Sequence, residues 1–276
     1  YIGFNGLFFP FISGKNIIFR VLVEIAFAGW VLLAIRDTNY RINFKKSPLT
    51  IAYAVFMLVL LIADIFGVDR ERSLWSNFER MEGFVGHIHL FAYFFVLSVM
   101  LPTLKEWQRM WKWFIAGDIL ILVYAYGQLM GAPGTFFAEK FPKMAEWFAP
   151  RFPIHMSSNR LDATIGNSAY FAIFCLMFIF ITALMWTQAK ERNQKLFYIV
   201  VMVLNLIGLL YSGTRGTMIG LLFGGLLTLG IVAWKEKGKV RQYFIAGLIV
   251  LLISVSSIFI FKNSSLVKSS SILSRI

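Results

Sequence analysis

About eight apolar runs of membrane-spanning length fill this chain, at 17–35, 49–66, 84–101, 111–130, 168–186, 196–210, 217–234 and 244–261. Crossing the hydrocarbon of a bilayer takes roughly 20 residues of helix. Inside it only helices or closed barrels satisfy every backbone amide, and unbroken apolar runs rather than short alternating segments select helices. The expected fold is therefore all-α: a polytopic transmembrane helix bundle, one domain over 1–276. Only 15% of the residues are charged, against about 25% in a soluble domain. Mean hydropathy is +0.71. Lipid, not water, is the expected solvent, and membrane lipids are the first expected partner.

Basic residues crowd alternate loops. Arg36, Arg41, Lys45 and Lys46 follow the first run; Lys105, Arg109 and Lys112 the third; Lys190, Arg192 and Lys195 the fifth; Lys235, Lys237, Lys239 and Arg241 the seventh. Short, acid-poor basic loops mark the cytoplasmic side. The same pattern accounts for the net charge of +13 without a continuous basic face, so nucleic acid is not expected as a partner. The second, fourth and sixth loops then face outward, as do both ends of the chain. Residues 1–12 read as the tail of an apolar segment, which makes the chain a piece of a longer protein lacking an upstream span. In the long fourth loop, Phe136, Phe137, Trp147 and Phe148 suit the membrane interface.

The sixth loop is only Tyr211-Ser-Gly-Thr-Arg-Gly216. The seventh helix would start at its end, with Ser212 and Thr214 as N-cap residues. Unpaired N–H groups beside Arg215 would form an anion site, since arginine grips phosphate through two parallel bonds. Alternatively Arg215 snorkels to the interface, or neutralises Asp64 or Asp118. Arg160 precedes a second cap, Asn167-Ser168, so two outward helix starts could converge on a diphosphate; otherwise it is an interfacial arginine in a loop that also carries Arg151, Lys140 and Lys143. Gly216, Gly220 and Gly224 lie four apart, a face for close helix contact.

Glu24, Asp64 and Asp118 fall inside apolar runs, where ionisable groups are functional suspects. His87 and His89 diverge by about 200° on a helix and suit no shared metal site. His155 is a candidate base with nothing in sequence to orient it. Cys175 stands alone, so neither a disulfide framework nor a cysteine-rich metal site is expected. No metal or cofactor is expected.

The stretch Arg160-Leu-Asp-Ala-Thr-Ile-Gly-Asn-Ser-Ala-Tyr-Phe-Ala172, followed two spans later by Tyr211-Ser-Gly-Thr-Arg-Gly-Thr-Met-Ile-Gly220, resembles the O-antigen ligase and polymerase family of bacterial membrane glycosyltransferases. The segment Ser73-Leu-Trp-Ser-Asn-Phe-Glu-Arg-Met-Glu-Gly83 is similar to an outer-loop signature of one branch. The resemblance implies a GT-C-like bundle in the bacterial cytoplasmic (inner) membrane. It would transfer a glycan from an undecaprenyl-diphosphate carrier to a lipid or glycan acceptor on the outer face, with inversion and without metal. It also implies that Arg215, Arg160 and Arg80 bind the substrate, the first two gripping the diphosphate leaving group. The family's histidine lies in a large outer loop after the helix that here ends near Phe261; the chain stops inside that loop, so the catalytic residue is left unassigned. A repeat-unit polymerase, a protein O-oligosaccharyltransferase, a lipid-linked glycan flippase and an assembly subunit are the alternatives.

Overall fold

The computed structural model describes residues 10–41, 47–77, 82–133, 135–154, 160–235, 237, 238, 241, 242, 245, 246 and 249. Every regular element among them is helical, and six helices are long and apolar enough to cross a membrane. The seven expected runs between 17 and 234 each coincide with one helix. The eighth, 244–261, lies almost wholly outside the described residues, as do Arg80 and His155. The chain divides into two compact units, 1–110 and 111–276.

In the first unit α1 (Pro10–Arg36), α2 (Pro48–Phe66), the short α3 (Arg70–Trp75) and α4 (Phe84–Met100) follow in order. Helix α4 packs against α1 and α2. Aromatic edges make those seams: Trp30 meets Phe95 at 4.7 Å between ring centres and Tyr53 meets Phe91 at 5.0 Å, both edge to face, the arrangement the ring quadrupoles favour. The chain reversal after α1 is pinned by Trp30 Nε1, which donates to Tyr40 O at 3.0 Å. Asp69 caps α3 by accepting from Arg72 N at 3.0 Å. Leu22, Ile25, Leu32 and Ile35 nonetheless stay at least 60% exposed on α1, the face expected to lie against lipid.

Helix α5 (Leu104–Gly131) leads into the second unit, which continues with α6 (Phe136–Lys140), α7 (Pro142–Phe148), α8 (Ser168–Gln188), α9 (Arg192–Ser212) and α10 (Arg215–Lys235). Helices α8 and α9 form a tight antiparallel hairpin, and α10 lies against both. Ala125, Leu129, Phe171, Cys175, Ile179 and Leu209 fill the core between α5, α8 and α9. Gly208 permits the α8–α9 approach, because a Cβ there would lie 3.3 Å from Cys175 Sγ and from the Phe171 ring. Of the three spaced glycines on α10, Gly220 and Gly224 face Leu176 and Phe180 of α8, whereas Gly216 faces open space. Close helix contact thus begins one turn later than the spacing predicts.

The end of α5 meets the end of α7. A Cβ on Gly131 would sit 2.6 Å from Ala149 N and 2.7 Å from its Cα. Backbone atoms cannot rotate aside. Gly131→Ala is expected to cost about 2 kcal/mol through forced separation of the two segments, read by unfolding in detergent or bicelles; a loss under about 0.5 kcal/mol contradicts it.

Candidate functional site

The residues of the two motifs meet at one end of the second unit, where α8 and α10 begin and α9 ends. Gly213, at φ +61°, takes the left-handed conformation that ends α9, its N–H donating to Leu210 O at 3.1 Å. The chain turns through Thr214 and starts α10 at Arg215. Arg160 holds this turn from outside. Its Nε donates to Ser212 O at 2.6 Å and its Nη2 to Thr214 Oγ1 at 2.8 Å. Alongside, Leu161 N donates to Tyr211 O at 3.3 Å, and Thr214 Oγ1 donates to Ser168 O at 3.4 Å. The Arg160 segment, the start of α8 and the α9–α10 turn are one hydrogen-bonded assembly.

Of two expectations about helix starts, one holds here and one changes. Asn167 does cap α8: its Oδ1 accepts from Ala169 N at 2.8 Å and Tyr170 N at 3.4 Å. That start is therefore capped by its own side chain, as the Asn167-Ser168 pair predicts. Thr214, expected as a cap for α10, engages Arg160 and Ser168 instead. Ser212 Oγ accepts from Thr214 N at 3.3 Å and donates to Leu209 O at 2.6 Å. Among the described residues no side chain caps the first N–H groups of α10, so one helix start stays open. Arg215 stands on it, exposed, with no hydrogen bond or ion pair among the described residues. It does not pair with Asp118, which accepts from Asn205.

The two arginines therefore differ in kind. Arg160 is half-buried, and among the described residues two of its five N–H bonds go to protein, leaving three for a ligand. Arg215 keeps all five. Together with the α10 amides and the positive end of that helix's dipole, they form a donor-rich mouth suited to a phosphate or diphosphate. Arg151 does not join it: its Nη1 donates to Trp147 O at 2.7 Å and its guanidinium carbon lies 4.1 Å over the Trp147 ring.

The sequence gives little sign of what holds Arg160 in place. Gln128, wholly buried on α5, donates from Nε2 to Pro153 O at 2.7 Å and to Asp162 Oδ1 at 2.8 Å, and accepts from Ala163 N at 2.9 Å on Oε1. Both hydrogens and the carbonyl of the amide are used. This grip fixes Ala163 at φ +49°, where a side chain is strained. An uncharged amide near the end of an apolar helix, with a carboxylate inside the neighbouring motif, is the only signal.

Deeper in the same unit Asp118, 1% exposed, accepts from Asn205 Nδ2 at 2.8 Å across α5 and α9. Asp118 Oδ1 and Asn205 Oδ1 have no partner among the described residues. In the first unit Glu24 and His89 pair, Oε1 to Nε2, at 3.0 Å. The three acidic residues inside apolar runs thus divide: Glu24 and Asp118 bind neighbouring helices, while Asp64 keeps a buried Oδ2 without a partner among the described residues. Phe148 packs on Phe152 at 5.6 Å, and Trp147 and Phe137 are exposed.

No protein-family model, no curated protein and no solved structure matches this chain.

Proposed function

We propose that the chain belongs to a GT-C-like membrane glycosyltransferase of the O-antigen ligase type, moving a glycan from an undecaprenyl-diphosphate carrier to an acceptor at the outer face of the bacterial cytoplasmic membrane. The acceptor hydroxyl oxygen forms a bond to the sugar's anomeric carbon, the bond from that carbon to the phosphate oxygen breaks, and the diphosphate leaves with the electron pair. The hydroxyl proton goes to a base outside the residues assigned here. What the protein supplies is stabilisation of the charge developing on the leaving group, which in many transfer reactions does more to lower the barrier than any other effect.

One observation carries this reading. Arg160 clamps the turn from which Arg215 and the open amides of α10 start, so the donors of both motifs belong to one end of the unit. The motif resemblance supplies the identity of the diphosphate, and the loop charges supply the outer side.

The test is transfer from a lipid-linked glycan by the full-length protein in proteoliposomes. Arg215→Ala is expected to lower turnover by roughly 100-fold, the effect of deleting one charge-stabilising donor. Stability should not change, because Arg215 has no partner to lose among the described residues. Undiminished transfer by that variant would end the proposal.

A further inference from the structure

Asp118 and Asn205 form a pair inside the second unit that neither the donor-rich mouth nor its anchor uses. Asp118 is 1% exposed and Asn205 wholly buried. Asp118 lies roughly 10 Å along the apolar run that opens at residue 111, a depth at which ionisable groups are costly and mark function. Asn205 Nδ2 donates to Asp118 Oδ2 at 2.8 Å and to Val201 O at 3.1 Å. Both amide hydrogens are therefore spent. The second bond also fixes which way the amide points: Val201 O only accepts, so nitrogen and not oxygen faces it. One oxygen then remains on each group, Asp118 Oδ1 and Asn205 Oδ1, buried and without a partner among the described residues.

Two acceptors cannot satisfy each other, so a hydrogen must come from somewhere. Buried donors on α5, α8 and α9 give theirs elsewhere: Gln128 Nε2 to Pro153 O and Asp162 Oδ1, Thr182 Oγ1 to Phe178 O at 2.6 Å, and Ser212 Oγ to Leu209 O at 2.6 Å. Cys175, buried on α8, carries only a weak S–H donor. Among the described residues no lysine or arginine is buried, and Asp118 has no ion pair. An ionised Asp118 would thus lack both a counter-charge and a hydrogen for Oδ1, the costly state for a buried carboxylate.

A metal cation would need about six oxygen ligands, and among the described residues no three metal-ligating side chains come together. A proton needs only the two atoms left over. We propose that Asp118 and Asn205 are a proton-binding site, an acid–amide pair in which Asp118 Oδ1 carries the proton and donates to Asn205 Oδ1. Water supplies the proton, and no other bond forms or breaks. The pair then satisfies all its polar atoms and ties α5 to α9 without a charge in the membrane.

Infrared spectroscopy of the full-length protein in lipid, in neutral buffer, reads the acid directly. A protonated carboxyl has a C=O stretch above the amide bands, and an ionised one does not. With aspartate isotope-labelled at its side-chain carboxyl carbon, one label-sensitive acid band is expected. It should vanish in Asp118→Asn, which keeps the shape and an N–H for Asn205 Oδ1, and persist in Asp64→Asn. In Asn205→Leu, which strips the carboxyl of both partners, the band should move to higher frequency. That shift decides the matter even if Asp118→Asn does not fold. The absence of any label-sensitive band in the unaltered protein, as a bound water or cation beside an ionised carboxylate would give, overturns the proposal. So does a band that survives Asp118→Asn, or one that is unmoved or missing in Asn205→Leu. None of these outcomes bears on transfer by Arg215 variants, so the two readings fail separately.

Discussion

Gln128→Leu is expected to cost about 3 kcal/mol of stability and to abolish most transfer, although residue 128 contributes nothing to the donor-rich mouth itself. Leucine fills nearly the same volume, so the loss is polar rather than steric. Three hydrogen bonds disappear together: those to Pro153 O, to Asp162 Oδ1 and from Ala163 N. A buried group stripped of its partner costs roughly 1–3 kcal/mol, and bonds to a carboxylate lie at the strong end. Partial relaxation brings the total down. Ala163 would then no longer be held at positive φ, and the segment from Arg160 to Gly166 would lose its tie to α5. Gln128→Glu should be worse, since it sets a second carboxylate against Asp162 in a buried site. Reversible unfolding in bicelles reads the first effect and proteoliposome transfer the second. A Gln128→Leu protein within about 0.5 kcal/mol of the parent would show that α5 does not anchor the motif.

The helices are legible because lipid imposes one length and one polarity on every span. Their starts are less so. Helix α5 begins at Leu104 and not at residue 111, because Thr103 and Glu106 form a reciprocal cap. Thr103 N donates to Glu106 Oε2 at 2.9 Å and Glu106 N to Thr103 Oγ1 at 3.4 Å. The Thr-x-x-Glu spacing stands in the sequence. Hydropathy passes over it, since the helix extends two turns beyond its apolar part. Likewise α9 starts at Arg192, one turn before the apolar run. At the mouth, spacing puts Arg160 and Arg215 on the same side, and the structure brings both to one turn. Spacing cannot reveal that Thr214 is drawn to Arg160 instead of capping α10. That competition depends on where a side chain 54 residues away comes to rest. Gln128 is invisible for the same reason: its three bonds reach residues 25 to 35 positions away. Arg80 falls outside the described residues, so its proposed role rests on its motif alone.

Arg160→Lys should separate support from contact at the mouth. The guanidinium reaches Ser212 O and Thr214 Oγ1 through two different nitrogens of one rigid plane. A lysine ammonium is a single point on a flexible stem and does not reproduce that fork. Losing one of two charge-assisted bonds is expected to cost about 1.5 kcal/mol or more, visible in unfolding, where Arg215→Lys should cost nothing. Turnover of Arg160→Lys should fall by roughly tenfold or more, with charge unchanged. Thr214→Val then isolates the mechanism, because it deletes the hydroxyl that receives Nη2 while leaving both arginines in place. If Arg160 acts by holding the turn, Thr214→Val lowers turnover in the same direction and loosens the start of α10, seen as faster amide exchange from Met218 onward, the first amide bonded back to Thr214 O. Should Thr214→Val retain full turnover while Arg160→Lys is inactive, the clamp is dispensable, and Arg160 acts through its three remaining N–H groups on the ligand itself.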